Sequence, residues 1–122
     1  MIIRRADTRS FSIPNCHGGS GAVTCREILG DYNRTTPGLT LVHDNILAPG
    51  VSIGEHEHRG DEEVYFVLEG CGEMVVNGVR ESVGPGDVCI TREGDRHSLI
   101  NTGESDLRLL VVAANTVRRG VQ

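Results

Sequence analysis

An all-β fold, an antiparallel sandwich or barrel, follows from where the turns fall and from what lies between them. Turn signals recur at short intervals: Pro37-Gly38, Pro49-Gly50, Arg59-Gly60-Asp61, Gly70-Cys71-Gly72, Asn77-Gly78, Gly84-Pro85-Gly86-Asp87, Glu93-Gly94-Asp95 and Asn101-Thr102-Gly103-Glu104. Apolar or alternating runs separate them, at residues 39–48, 62–68, 73–76, 88–91, 97–101 and 107–113. Short strands with a turn every roughly 8–12 residues are the pattern of such folds. Asn77-Gly78, between Val75-Val76 and Val79, is the sharpest local signal and predicts a tight type I′ hairpin. No stretch predicts a helix. Residues 22–30 come nearest, but Val23, Thr24 and Cys25 beside Ile28 and Leu29 suit a strand at least as well.

The totals fit one domain spanning residues 1–122, long enough to bury a core without staples. Aromatics are scarce (Phe11, Tyr32, Tyr65, Phe66, no Trp), so Val, Ile and Leu must fill that core. A net charge of -5 argues against nucleic acid, whose phosphates need a basic face. All 12 basic residues are arginines. The lack of lysine excludes Schiff-base chemistry, lysine general bases and a phosphate loop of the P-loop kind. The start carries no apolar run like that of a signal peptide, and no later stretch is long enough to span a membrane. Cys16, Cys25, Cys71 and Cys89 form neither a C-x-x-C pair nor a disulfide scaffold, so a cytoplasmic, reduced protein is expected, with a Cys16–Cys25 bridge left open. The ends, residues 1–10 and 115–122, are expected to be loose or borrowed by a partner subunit.

Chemistry concentrates at four residues. His56-Glu57-His58 sets two imidazoles two positions apart, on one face of a strand. Glu63 follows a short glycine-containing turn that returns the chain beside them, and His97 opens a later strand. Three imidazoles and a carboxylate make a competent shell for one divalent transition metal, with manganese, iron, nickel and zinc all suited to such donors.

The spacing of these residues resembles the cupin family. Gly50 to Gly70 is similar to its first motif, G-x5-H-x-H-x4-E-x6-G, through His56, His58 and Glu63, with every interval matched. Gly86 to Asn101 is similar to the second, G-x5-P-x-G-x2-H-x3-N, through Gly94 and His97, with Arg92 where the family has proline. The resemblance covers residues 39–113 and implies a double-stranded β-helix (jelly-roll) barrel with the metal held inside by His56, His58, Glu63 and His97. Glu62 could replace Glu63, but Glu63 keeps the interval to Gly70. Residues 1–30 then form an N-terminal extension or strand, and the family suggests that it adds to a neighbour's sheet in a homodimer.

Other residues have two readings each. Tyr65, on the face of Glu63, is either a proton donor lining the pocket or a core tyrosine with its hydroxyl satisfied. His43 either enters the barrel as an acid or base or is a surface histidine, the plainer reading. Asn101 either supports His97 or serves the turn before Thr102-Gly103. Arg59 and Arg96 either hold an anion at the barrel mouth or pair with Glu57 and Asp95. His17-Gly18-Gly19-Ser20-Gly21 reads as a flexible turn. The function expected is a metal-dependent enzyme acting on a small oxygen-rich molecule (a sugar, keto acid or hydroxy acid, as an isomerase, lyase, decarboxylase or dioxygenase). Tyr65 and His43 are its candidate catalytic groups. The alternative is a binding protein that holds a small-molecule ligand on the metal without turnover.

Overall fold

The structure is a computed structural model and describes residues 1–30 and 38–116. Among the described residues there are ten strands: β1 (Arg9–Pro14), β2 (Ala22–Glu27), β3 (Leu39–Leu47), β4 (Ser52–Glu57), β5 (Asp61–Glu69), β6 (Gly72–Val76), β7 (Val79–Val83), β8 (Val88–Thr91), β9 (Arg96–Ile100) and β10 (Leu107–Asn115). They form a six-stranded sheet, β1-β2-β3-β10-β5-β8, and a four-stranded sheet, β4-β9-β6-β7. Every pairing is antiparallel. The helical pieces of the described residues are two 3₁₀ turns, Arg5–Asp7 and Cys16–Gly18. This is the jelly-roll sandwich that the turns and the motifs imply.

Local chemistry explains the strands. Asn77 and Gly78 both hold positive φ, 49° and 80°, which a type I′ turn requires and which only asparagine and glycine adopt cheaply. β10, the most apolar strand, alternates buried and half-buried residues along its length, because one face meets the core and the other lies outward. Residues opposed across antiparallel strands share a face. Two inward rows therefore run across the large sheet, Leu41–Ala113–Glu63–Thr91 and Glu27–His43–Val111–Tyr65–Cys89. Below them Leu47, Val67, Leu107 and Leu109 pack against Ile53, Met74 and Leu99 of the small sheet. Leucine and valine fill the core, as the shortage of aromatics requires.

The N-terminus departs from expectation. Residues 1–4 lack regular structure, but a 3₁₀ turn occupies Arg5–Asp7 and β1 begins at Arg9. β1 pairs with β2 and β2 with β3 of the same chain, so the N-terminal strands extend their own sheet, with β1 at its edge. Of the C-terminal end, residues 117–122 lie outside the described residues, as does Pro37 of the first turn. All four cysteines are free thiols, so no Cys16–Cys25 bridge forms; Cys25 is buried and Cys71 is exposed.

Candidate metal centre

Both sheets contribute to one cluster. His56 on β4 stands directly opposite His97 on β9, which puts the two rings on one face. A register shift between Ile53 and His56 bends β4 at that point. His58 lies one residue past the end of β4, anchored by its N–H to Asp95 O and its carbonyl to the N–H of Gly94. Glu63, on β5 of the other sheet, faces them across the sandwich. Glu63 is 6% exposed and Glu62 is exposed, so strand alternation selects Glu63.

The donor atoms nearly touch. Nε2 of His97 lies 2.9 Å from Nε2 of both His56 and His58, which are 3.2 Å from each other. Glu63 Oε1 is 3.3 Å from Nε2 of His58 and of His97. All four atoms fall within 4.8 Å of one another. Donors bound at roughly 2.1 Å stand about 3.0 Å apart when adjacent on an octahedron and about 3.4 Å apart on a tetrahedron, so the spacing matches a shared ion.

Hydrogen bonding on the far side of each ring supports the same fit. His56 Nδ1 donates to Gly54 O at 2.8 Å, and His58 Nδ1 donates to Asp61 Oδ1 at 3.0 Å. Neither acceptor can give a proton back, so both Nε2 atoms carry bare lone pairs that face each other. His97 Nδ1 pairs with Thr91 Oγ1 at 2.7 Å, and Glu63 Oε1 is buried with no hydrogen-bond partner. Converging lone pairs and an orphaned carboxylate oxygen repel one another unless a cation sits among them. The residues fit a divalent metal.

Burial and charge act together here. Burial holds the His56 imidazole down to about 4, which keeps it neutral, the form that coordinates. Burial pushes the Glu63 carboxyl up, but the surrounding imidazoles outweigh it and hold the group below its usual range. Burial and the Glu63 charge drive the Tyr65 phenol well above its ordinary value.

The remaining candidates sort by contact. Tyr65 is buried, its ring 5.1 Å from that of His97, with the Glu63 charge close enough to act on its phenol. The surface reading of His43 fails: it is half-buried, on the inward row with Val111 and Tyr65, because β3 is an interior strand of the sheet. Asn101 serves its turn, donating to Leu47 O and Ser105 O and accepting from Gly103 N–H. Arg59 pairs with Glu57 as expected, whereas Arg96 pairs with Glu55 at 3.7 Å rather than with Asp95. The residue that sequence reasoning missed is His17, whose ring stacks on His56 with centroids 3.7 Å apart. Its glycine-rich surroundings signalled only a turn, and no sequence interval links it to His56.

Comparison with known proteins agrees with this architecture. The chain is 35% identical over 112 residues to an oxalate-binding protein of Thermotoga maritima, covering 92% of each. It superimposes with a TM-score of 0.87 on the crystal structure of a predicted oxalate decarboxylase from Thermotoga maritima, at 34% identity, over 95% of this chain and 100% of that one. KdgF from Halomonas sp. shares the fold at 14% identity, with a TM-score of 0.76 over 100% of this chain and 98% of that one. The cupin domain family matches residues 45–113, the span holding all four donors. With the barrel, the two motifs and these relatives in agreement, the chain belongs to the cupin family.

Proposed function

We propose that the protein holds one divalent transition metal through His56, His58, Glu63 and His97, and on its open side binds a small oxygen-rich acid of the oxalate class. The observation that carries this reading is the convergence of three imidazole nitrogens and an orphaned carboxylate oxygen, which leaves room for ligand oxygens on a six-coordinate ion. The name of the Thermotoga maritima relative supplies the ligand class. When bound, such an ion would act as a Lewis acid toward carboxylate oxygens. The chain's own part is to hold the donors: Gly54 O, Asp61 and Thr91 fix the three rings, and the Glu63 carboxylate is held in a buried place beside the Tyr65 phenol. Titration of manganese-loaded and metal-free protein with oxalate tests the reading. Binding that needs the metal supports it, and equal binding by both forms removes it.

Turnover is the second reading, favoured by the burial of the Tyr65 hydroxyl beside Glu63, where it could hold or release a proton. Tyr65→Phe keeps the ring and removes the hydroxyl. As a proton donor its loss lowers turnover roughly 10²–10⁴-fold with metal content unchanged. As a support for Glu63 it lowers stability by about 1–3 kcal/mol and metal affinity, with no separate effect on turnover. His43, on the same inward row, is the next group to replace. The reading also includes a cytoplasmic homodimer. Four free thiols suit a reducing compartment. Phe66, Val88 and Ile90 expose a large apolar area on the outer face of the six-stranded sheet, which a second copy would cover. Sedimentation as a monomer at micromolar concentration removes the dimer.

A further inference from the structure

His17 stands outside the four donors yet shares their space. Its ring lies on that of His56 with the planes 10° from parallel. The backbone that puts it there is strained: Asn15 and His17 both hold positive φ, 49° and 51°, a left-handed conformation costing on the order of 1 kcal/mol for a residue with a Cβ. Such strain persists only where the surroundings over-determine it. Here they do. Asn15 donates through its N–H to Gly21 O and through Nδ2 to Gly19 O, while the N–H groups of Gly18 and Gly19 close on Asn15 O and Cys16 O. Ser20 is tied to β4 and the turn before it through Ser52 and Gly50. Against β4 the contact is backbone to backbone. A Cβ on Gly54 would lie 2.1 Å from His17 O, and one on Gly19 would lie 2.1 Å from Ser52 O. The loop is therefore a fixed wall beside β4 and not the flexible turn that its glycines predict.

Exposure shows what this wall faces. His58, Glu63 and His97 are buried, whereas His56 is half-covered and His17 is exposed. His56 is thus the donor least covered by protein, and the His17 ring lies over it on that open side. Stacking uses the face of an imidazole and leaves its edge, with both nitrogens, for another partner.

We propose that His17 is a ligand-contacting residue of this site: stacked on His56, it directs the N–H edge of its ring at a small carboxylic acid held on the metal and donates a hydrogen bond to one of its oxygens. The inference rests on the small-acid reading given above. It makes the N-terminal loop, which lies before both motifs, part of the binding site, and it assigns the ligand a carboxylate oxygen beyond those the metal takes.

The test is calorimetric titration of the full chain, with manganese(II) alone and then with oxalate on the manganese-loaded protein. His17→Phe keeps a flat ring for the stack and removes the N–H. Manganese affinity and melting temperature should stay near wild type, while oxalate affinity falls roughly 10- to 100-fold, the loss expected for one hydrogen bond to a charged acceptor. His17→Asn, whose short side chain tolerates left-handed backbone, gives the same reading if the phenylalanine variant misfolds. Wild-type oxalate affinity in a folded variant overturns the proposal, as does a loss confined to manganese affinity, which would mark a purely structural stack. If wild-type protein itself ignores oxalate while binding manganese, the small-acid reading has failed, and the proposal falls with it.

Discussion

Two stretches far apart in the chain meet at the donor cluster, and they are built in opposite ways. Residues 56–63 supply three of the four donors through local rules alone: strand alternation, one glycine turn and a return strand. Residues 15–21 reach the same place through left-handed backbone, hydrogen bonds across to β4 and glycines that allow two backbones to touch. The contrast shows that a short segment can encode a ligand set, whereas the wall around its open side is assembled by long-range packing. The donors should accordingly be sensitive to the loss of a single atom and the wall to the addition of one.

The largest effect expected comes from the donors. His97 is 1% exposed and touches His56, His58 and Glu63, so His97→Ala should strip the metal. Metal analysis should fall from about one ion per chain to near zero. Full occupancy in the variant would move the site elsewhere.

A smaller loss is expected one contact further out. Asp61 holds the Nδ1–H of His58 and with it the tautomer that faces the cluster. Asp61→Ala should weaken metal binding by roughly 10- to 100-fold while leaving one ion bound at saturation. Unchanged affinity would show that the ring needs no such support.

The wall is probed by adding a methyl. Gly54→Ala would drive a Cβ into His17 O and Gly19 N, so the loop must shift. Stability should fall by about 1–3 kcal/mol, read as a lower denaturant midpoint, with the His17 side chain displaced from His56. A variant as stable as wild type would mean that the loop moves freely, and the contrast drawn above would lose its basis.

The smallest effect is that of pH on the metal-free protein. In the unfolded chain the imidazole of His56 takes a proton near 6.5, and in the fold burial delays this to about 4. Between those values the unfolded state binds more protons, so stability falls as pH drops through the window and is flat above it. Half-exposure of His56 keeps the change modest. With metal bound the fall should be steeper, because protonation also competes with coordination. A chelator-sensitive stability that is the same at pH 5 and pH 7 would rule out histidine ligation.

Much of the site could be read before folding was considered. The interval from His56 to Glu63 sets which side chains face inward, and Glu63 was preferred over Glu62 on spacing that burial now explains. The bounds of β1 within residues 1–30 have no local signal for a physical reason: apart from half-buried Ile13 its residues are exposed, so no alternation marks Arg9–Pro14. β2 was clearer, since Val23 and Cys25 alternate with exposed neighbours. The inward place of His43 has no local signal, because a strand's own pattern does not reveal that β2 and β10 will flank it.

By itself, then, the sequence determined most of the strands, the type I′ turn at Asn77-Gly78 and the identity of the clustered donors, because each depends on residues a few positions apart. Tertiary structure alone decided that Glu63 crosses to meet histidines of the other sheet, that Tyr65 is buried beside that carboxylate, that Arg96 turns to Glu55, and that His17 lies on His56. Those outcomes depend on which strands become neighbours. That choice is made by burial of the whole apolar set at once, which no local spacing encodes.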